Sequence, residues 1–262
     1  MLFLIFLQQK LTMKTCTLLI FFTFLLTSCA ELTQLANQTL NENKPLTQTE
    51  IASGLKEALI VGTNKSADIL GATDGYYKDE LVKILLPPQP DVIVKNISKI
   101  PGGDKLVEDA LLSINRAAED AVSEAKLIFV NSIRNLTITD AVGILKGEEN
   151  AATQYLRKTT YDQLVTLYKP KIKASVEKKL VGNVSTAQSW DLLTGKWNDV
   201  ANSVIGKVAG FKPVEVKLDE YLTQKALDGL FLKIEDQEKL IRKDPVARVN
   251  DLLKRVFGSL DS

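Results

Sequence analysis

Histidine is absent from all 262 residues. Without imidazole there is no Ser–His–Asp or Cys–His catalysis, no histidine acid–base work and almost no zinc enzyme site. Cysteine occurs only as Cys16 and Cys29, so any thiol chemistry must use those two. Neither charge sign is in excess, with 33 Lys and Arg against 32 Asp and Glu. A near-neutral chain has no general pull toward nucleic acid, whose binding rests on neutralising phosphates. Glycine never falls at a phosphate-binding spacing: Pro101-Gly102-Gly103-Asp104-Lys105 is a turn ahead of a helix. Nor does any run carry the alternating acids of a calcium loop, since Asp74-Gly75 lacks carboxylates at the required offsets. The expectation is no metal, no cofactor and no nucleic-acid partner. A carboxylate- or Lys/Tyr-based enzyme stays open in principle, but no spacing argues for one.

What stands at the start is an address. Met13-Lys14 precedes an apolar run from Leu18 to Leu26, and small residues then lead to Cys29. A basic end, a short apolar core and small residues make a secretory signal, here residues 1–28, and the core is too short to span a bilayer. Met13 is the more natural start. Leu26-Thr27-Ser28-Cys29 resembles the lipobox of bacterial lipoproteins. That resemblance implies acyl chains such as palmitate on Cys29 and, with Ala30 rather than Asp next, an outer-membrane anchor facing the periplasm. Several chains on one anchor give durable attachment. Cys16 leaves with the signal, so no intrachain disulfide is possible. Removing Lys10 and Lys14 with it leaves 31 basic and 32 acidic side chains, a net charge of −1. Residues 29–48 are polar and read as a lipidated tether, and residues 49–262 read as one helical domain large enough for a single core.

Helical punctuation dominates that domain. Thr47-Gln48-Thr49-Glu50 has the form of a capping box, and the helix it opens should end at Gly71. From Leu106 to Ile133 apolar or small residues step by three or four, and the many Ala positions predict close approach of another helix. Thr137 to Asp140 reads as a second capping box, with a stop at Lys146-Gly147. Ala151 to Leu180 reads as helix, with Pro170 expected to kink it or open a new one. Trp190, Leu193 and Trp197 suggest a helical pair broken around Gly195. Asp219 is expected to cap a long helix, and Asp244-Pro245 to open the last one, which Gly258 ends. Two runs, 82–86 and 214–218, look extended and are predicted to pair as a short two-stranded ribbon. The fold class is thus all-α, a single multi-helix domain with a minor ribbon.

The residues that invite a functional reading are polar ones beside apolar stripes: Asn115, Arg116, Glu119, Asp140, Thr153, Tyr155, Arg157 and Asp228. If they converge they form a partly buried Arg–carboxylate network. Such a network either fixes helix register, since buried charges need partners simply to be tolerated, or lines a polar pocket. Tyr76, Tyr77, Trp190 and Trp197 are either core packing or the wall of a groove for a helix or an acyl chain. The lysines between Lys169 and Lys179 form a solvated helix face or touch lipid phosphate.

Several blocks then occur in order: Leu70-Gly71 with Asp74-Gly75-Tyr76, Asn115-Arg116-Ala117-Ala118-Glu119, Thr139-Asp140-Ala141, Ala151-Ala152-Thr153 with Tyr155-Leu156-Arg157, Ala226-Leu227-Asp228-Gly229-Leu230-Phe231, and Leu252-Leu253-Lys254-Arg255-Val256-Phe257-Gly258. Over roughly residues 50–258 the chain resembles the bacterial domain-of-unknown-function 4197 family. The resemblance implies secreted or lipid-anchored proteins with a mostly helical domain, and no catalytic residues to carry over. Where members commonly have Ile-Pro-Leu-Pro, this chain has Ile84-Leu85-Leu86-Pro87. The leading expectation is a non-catalytic binding or assembly factor with an envelope protein partner. The alternatives are a carrier of an apolar ligand around the two Trp, and an enzyme built on the Arg–carboxylate group.

Overall fold

Gln48 leads directly into α1 (Gln48–Gly71), whose buried Ile51, Leu55, Ala58, Leu59 and Leu70 recur at helical spacing. The computed structural model describes residues 44–86, 90–97 and 102–261. Within them follow α2 (Pro90–Ile97), α3 (Gly103–Asn135), α4 (Ala141–Leu145), α5 (Ala151–Val176), α6 (Thr186–Asn202), α7 (Val204–Val208), α8 (Leu218–Lys243), a 3₁₀ turn (Pro245–Ala247) and α9 (Asp251–Gly258). No strand or sheet forms among the described residues, and the fold is all-α. The expected signal peptide, Cys29 and most of the expected tether lie outside the described residues. Gln48–Ser262 forms one compact unit.

Four long helices make the frame. α3 packs against α1 and α5, α8 packs against the same two, and the diagonal pairs hardly meet. The 33-residue α3 buries Ala110, Ala117, Ala118, Ala121 and Ala125, small side chains that let neighbouring backbones come close. Phe129 of α3 meets Phe231 of α8 with ring centroids 5.2 Å apart and planes at 56°, a tilted aromatic contact at the centre of the ring. α9 sits on α1 above Gly54, where a Cβ would come within 2.6 Å of the Val256 side chain. No described helix is long and apolar enough to cross a membrane.

The ribbon does not form. Each extended run instead has its backbone taken by one asparagine on a helix. Asn115 accepts from the Ile84 N–H and donates to the Ile84 carbonyl, both at 2.9 Å. Asn198 does the same for Val214, accepting at 2.7 Å and donating at 3.3 Å. A carboxamide carries one acceptor and one donor side by side, so it satisfies a residue much as a neighbouring strand would.

Other boundaries move for local reasons. Asp140, not Thr137, caps α4, accepting the Gly143 N–H at 2.8 Å. Pro170 lies inside a continuous α5. Trp190 and Trp197 share one helix rather than a broken pair, because Gly195 lies in open space and costs only propensity. Lys217, not Asp219, is the cap position of α8, and Asp219 sits in its first turn. Asp244 caps only the 3₁₀ turn, and Asn250 caps α9 through the Leu253 N–H.

Candidate functional site

The eight polar residues singled out from the sequence do not meet in one place. Asn115, Arg116 and Glu119 leave α3 toward the 72–86 segment. There Asp74 adopts a left-handed φ of 71°, uncommon for a residue with a Cβ. Its carboxylate takes Arg116 at 2.6 Å and Lys78 at 2.8 Å. Arg116 also holds Glu119 at 2.5 Å, and the other Glu119 oxygen accepts the N–H groups of Tyr76 and Tyr77, each at 3.1 Å. Fixed this way, Tyr76 drops into the core and donates its hydroxyl to the Ala226 carbonyl at 2.8 Å. The ring lies against Gly229, where a Cβ would approach within 2.8 Å. Hydrogen bonds from Lys78 and then Arg116 hold the Asp74 carboxyl below the usual carboxylate range. Burial works against the Arg116 charge, but its two carboxylates outweigh that and raise its pKa.

Thr153 belongs to a second network that sequence reasoning missed. Glu238 of α8 accepts the N–H groups of Ala152 and Thr153 and the Thr153 hydroxyl at 3.0, 2.7 and 2.7 Å. Arg242 binds Glu238 at 2.8 Å and donates to the carbonyls of Leu145 and Ile144. A buried carboxylate thus meets the start of α5 and a buried guanidinium the end of α4, each charge opposite to the local helix dipole. Arg248 caps α8 in turn, donating to Ile241 and Arg242 carbonyls while Asp261 holds its other face. The readable signal was Glu238 itself, a charge on the apolar spacing of Leu230, Ile234 and Ile241. Asp140 is a helix cap, and the Tyr155 hydroxyl donates to the Thr137 carbonyl at 2.7 Å.

Arg157 and Asp228 make the third place, and it is open. They pair across α5 and α8 with their side chains 46% and 39% exposed, whereas the Glu238–Arg242 side chains are 1% and 5% exposed. The Arg157 guanidinium lies over Tyr161 at 5.1 Å and Phe231 at 5.2 Å. Burial, and then the Asp228 charge, raise the Tyr161 pKa. The pair stands in a groove of about 430 Å³ between the 81–85 strip and helices α5 and α8, with Tyr221, Lys225, Phe231 and Leu85 on its walls. The Tyr221 hydroxyl donates to the Leu85 carbonyl at 2.9 Å, closing one end. A second groove between α3 and α5 has about 630 Å³ but gathers no comparable set of aromatic and paired charged groups.

None of the four aromatics lines the Arg157 groove. Tyr76, Trp190 and Trp197 are buried, the Trp197 ring packing on Phe211 at 5.3 Å and its indole N–H donating to the Lys212 carbonyl. Tyr77 is half-buried between Arg116 and Lys83. Among the described residues no three His, Cys, Asp or Glu side chains come together where they could hold a metal ion. With Arg116–Glu119, Asp140 and Arg157–Asp228 in three separate places, no joint catalytic cleft is built from them.

Residues 45–258 match the family described as protein of unknown function (DUF4197), and the chain belongs to that family. No curated protein and no solved structure matches the chain.

Proposed function

We propose that this family member is a lipid-anchored envelope protein, held at the outer membrane and facing the periplasm, whose helical domain binds a protein partner without performing chemistry. The partner segment docks in the groove between the 81–85 strip and helices α5 and α8. One observation carries this reading. Among the described residues the buried charged side chains, Glu119, Glu238, Arg242 and Arg248, are consumed in caps and loop fastenings, whereas Arg157 and Asp228 are left half-exposed on aromatic walls. An Arg stacked on aromatic faces and backed by a carboxylate is the kind of anchor that dominates protein interfaces. Leu81 and Leu85, exposed at 73% and 51%, add an apolar lip beside it. The secretory signal and the lipobox at Cys29 support the envelope location.

The test is in-cell crosslinking of the full chain with a photoreactive residue at Gln154, which lines the groove, and at Lys146, which does not line it, as a control. The groove position should give one discrete adduct. Arg157→Ala should cut that adduct by about tenfold or more, the loss of an anchor worth at least ~1.4 kcal/mol. The same diffuse ladder from both positions would sink the proposal.

A further inference from the structure

Val204, Ile205 and Val208 are exposed at 80%, 81% and 86%. Three aliphatic side chains so bare, side by side on one short helix, are not the scattered exposure that every surface shows. The element presenting them is rigidly built. Ser203 caps α7 through the Gly206 N–H at 3.0 Å. At the other end Gly210, with a φ of 74°, closes a Schellman motif. There Phe211 N–H bonds the Gly206 carbonyl at 2.9 Å, and Gly210 N–H bonds the Lys207 carbonyl at 3.2 Å. Gly206 lies flush on α6, where a Cβ would meet the Val200 carbonyl at 2.1 Å, and Phe211 is pinned to Trp197. A fold that fixes both ends of a five-residue helix and leaves its aliphatic face in water is displaying that face.

We infer that this knob is a lipid-contacting element that dips Val204, Ile205 and Val208 into the interface of an anionic bilayer. Charge decides between lipid and protein as the occupant. Lys207 and Lys212 flank the knob, both exposed, and no acidic residue occurs between Asp199 and Glu215. Basic residues rimming a small apolar tip suit a negative headgroup layer with hydrocarbon beneath it. Area points the same way. Three side chains fall far short of the roughly 800 Å² that each partner contributes to a stable protein interface, whereas insertion into lipid needs no complementary surface. The reading that anchors Cys29 in a membrane also keeps such a surface nearby, and to that extent the inference rests on it. The groove at Arg157 is not involved.

The test uses the processed full chain carrying Val208→Cys, labelled with an environment-sensitive fluorophore and mixed with phosphatidylethanolamine/phosphatidylglycerol vesicles containing nitroxide-labelled lipid. Leu127→Cys, another exposed apolar position, is the control. The expected result is a blue shift and several-fold stronger nitroxide quenching at 208 than at 127, weakened by salt and by replacing phosphatidylglycerol with phosphatidylcholine. Equal quenching at both positions overturns the inference. So does a blue shift that appears only with envelope extract and is not quenched by lipid, which would mean a protein covers the knob. The number of labelled thiols is read separately by mass spectrometry. Two rather than one would mean that Cys29 is not acylated, a failure of the anchor reading, while the contrast between 208 and 127 still judges the knob. Val204→Ser, Ile205→Ser and Val208→Ser together should leave the helical circular dichroism and thermal midpoint unchanged and abolish the quenching contrast of a label placed at Lys207→Cys.

Discussion

Tyr76 and Tyr168 are both sealed from solvent, yet their hydroxyls fare differently. Tyr76 donates to the Ala226 carbonyl, whereas the Tyr168 hydroxyl has no hydrogen-bond partner among the described residues. A buried polar group without a partner costs about 1–3 kcal/mol, while a satisfied one contributes about 1. Tyr168→Phe should therefore raise stability by about 1 kcal/mol, and Tyr76→Phe should lower it by a similar amount, read as opposite shifts of the urea midpoint. Equal destabilisation by both would show that Tyr168 has a partner after all. Asn115 teaches the same rule from the other side: its carboxamide completes the buried backbone of Ile84. The sequence pattern marked Asn115, Arg116 and Glu119 as polar residues bordering an apolar stripe. Their partners Asp74 and Ile84 lie more than thirty residues away, and no periodicity within α3 points to them. What a polar side chain does is settled by the loop that lands on it.

At the scale of elements, helix ends organise the domain. Glu238 accepts two N–H groups at the start of α5 and binds Arg242, which takes two carbonyls at the end of α4. One i, i+4 pair on α8 thus fixes the α4–α5 corner. Glu238→Gln keeps the size but presents an NH₂ group to a site made only of donors, leaving one of them unsatisfied and the Arg242 charge uncompensated. Removing one partner of a buried pair costs about 3–5 kcal/mol, so the variant should unfold at markedly lower urea. Arg157→Ala, at a pair open to water, should shift stability by less than about 1 kcal/mol. Similar losses from both would deny the distinction between a structural network and an open one. The long helices were legible because three- and four-residue spacing is a property of the stripe itself: α1 ends at Gly71, and α3 covers the whole 106–133 stripe. The predicted ribbon failed because alternation reports only that a segment is extended and half-buried. Whether a strand or an asparagine completes its backbone is decided by tertiary contact.

The molecule as a whole titrates in an unusual way because it has no histidine. On the acid side Asp74, Asp79, Glu220, Glu235 and Asp261 all have pKa values below the ordinary range, each bonded to a Lys or Arg. Such groups contribute stability that is present above their unfolded values near 4 and lost as pH falls through the lowered folded values. On the alkaline side burial raises Tyr76 and Tyr168. Their contribution is present below the unfolded value near 10 and lost as pH rises above it toward the folded values. Between these limits none of these groups changes protonation, so they predict a stability curve that is flat from about pH 5.5 to 8.5, with slopes only outside that window. Urea midpoints measured across it should coincide. A steady slope within it, approaching the ~1.4 kcal/mol per pH unit of one differentially bound proton, would mean that a group is perturbed in a way the side-chain contacts do not account for. The groove follows the same logic. It lacks the one side chain that switches charge near neutrality, so the partner binding we propose should weaken with salt through the Arg157–Asp228 pair and Lys225 yet hardly respond to pH in that range.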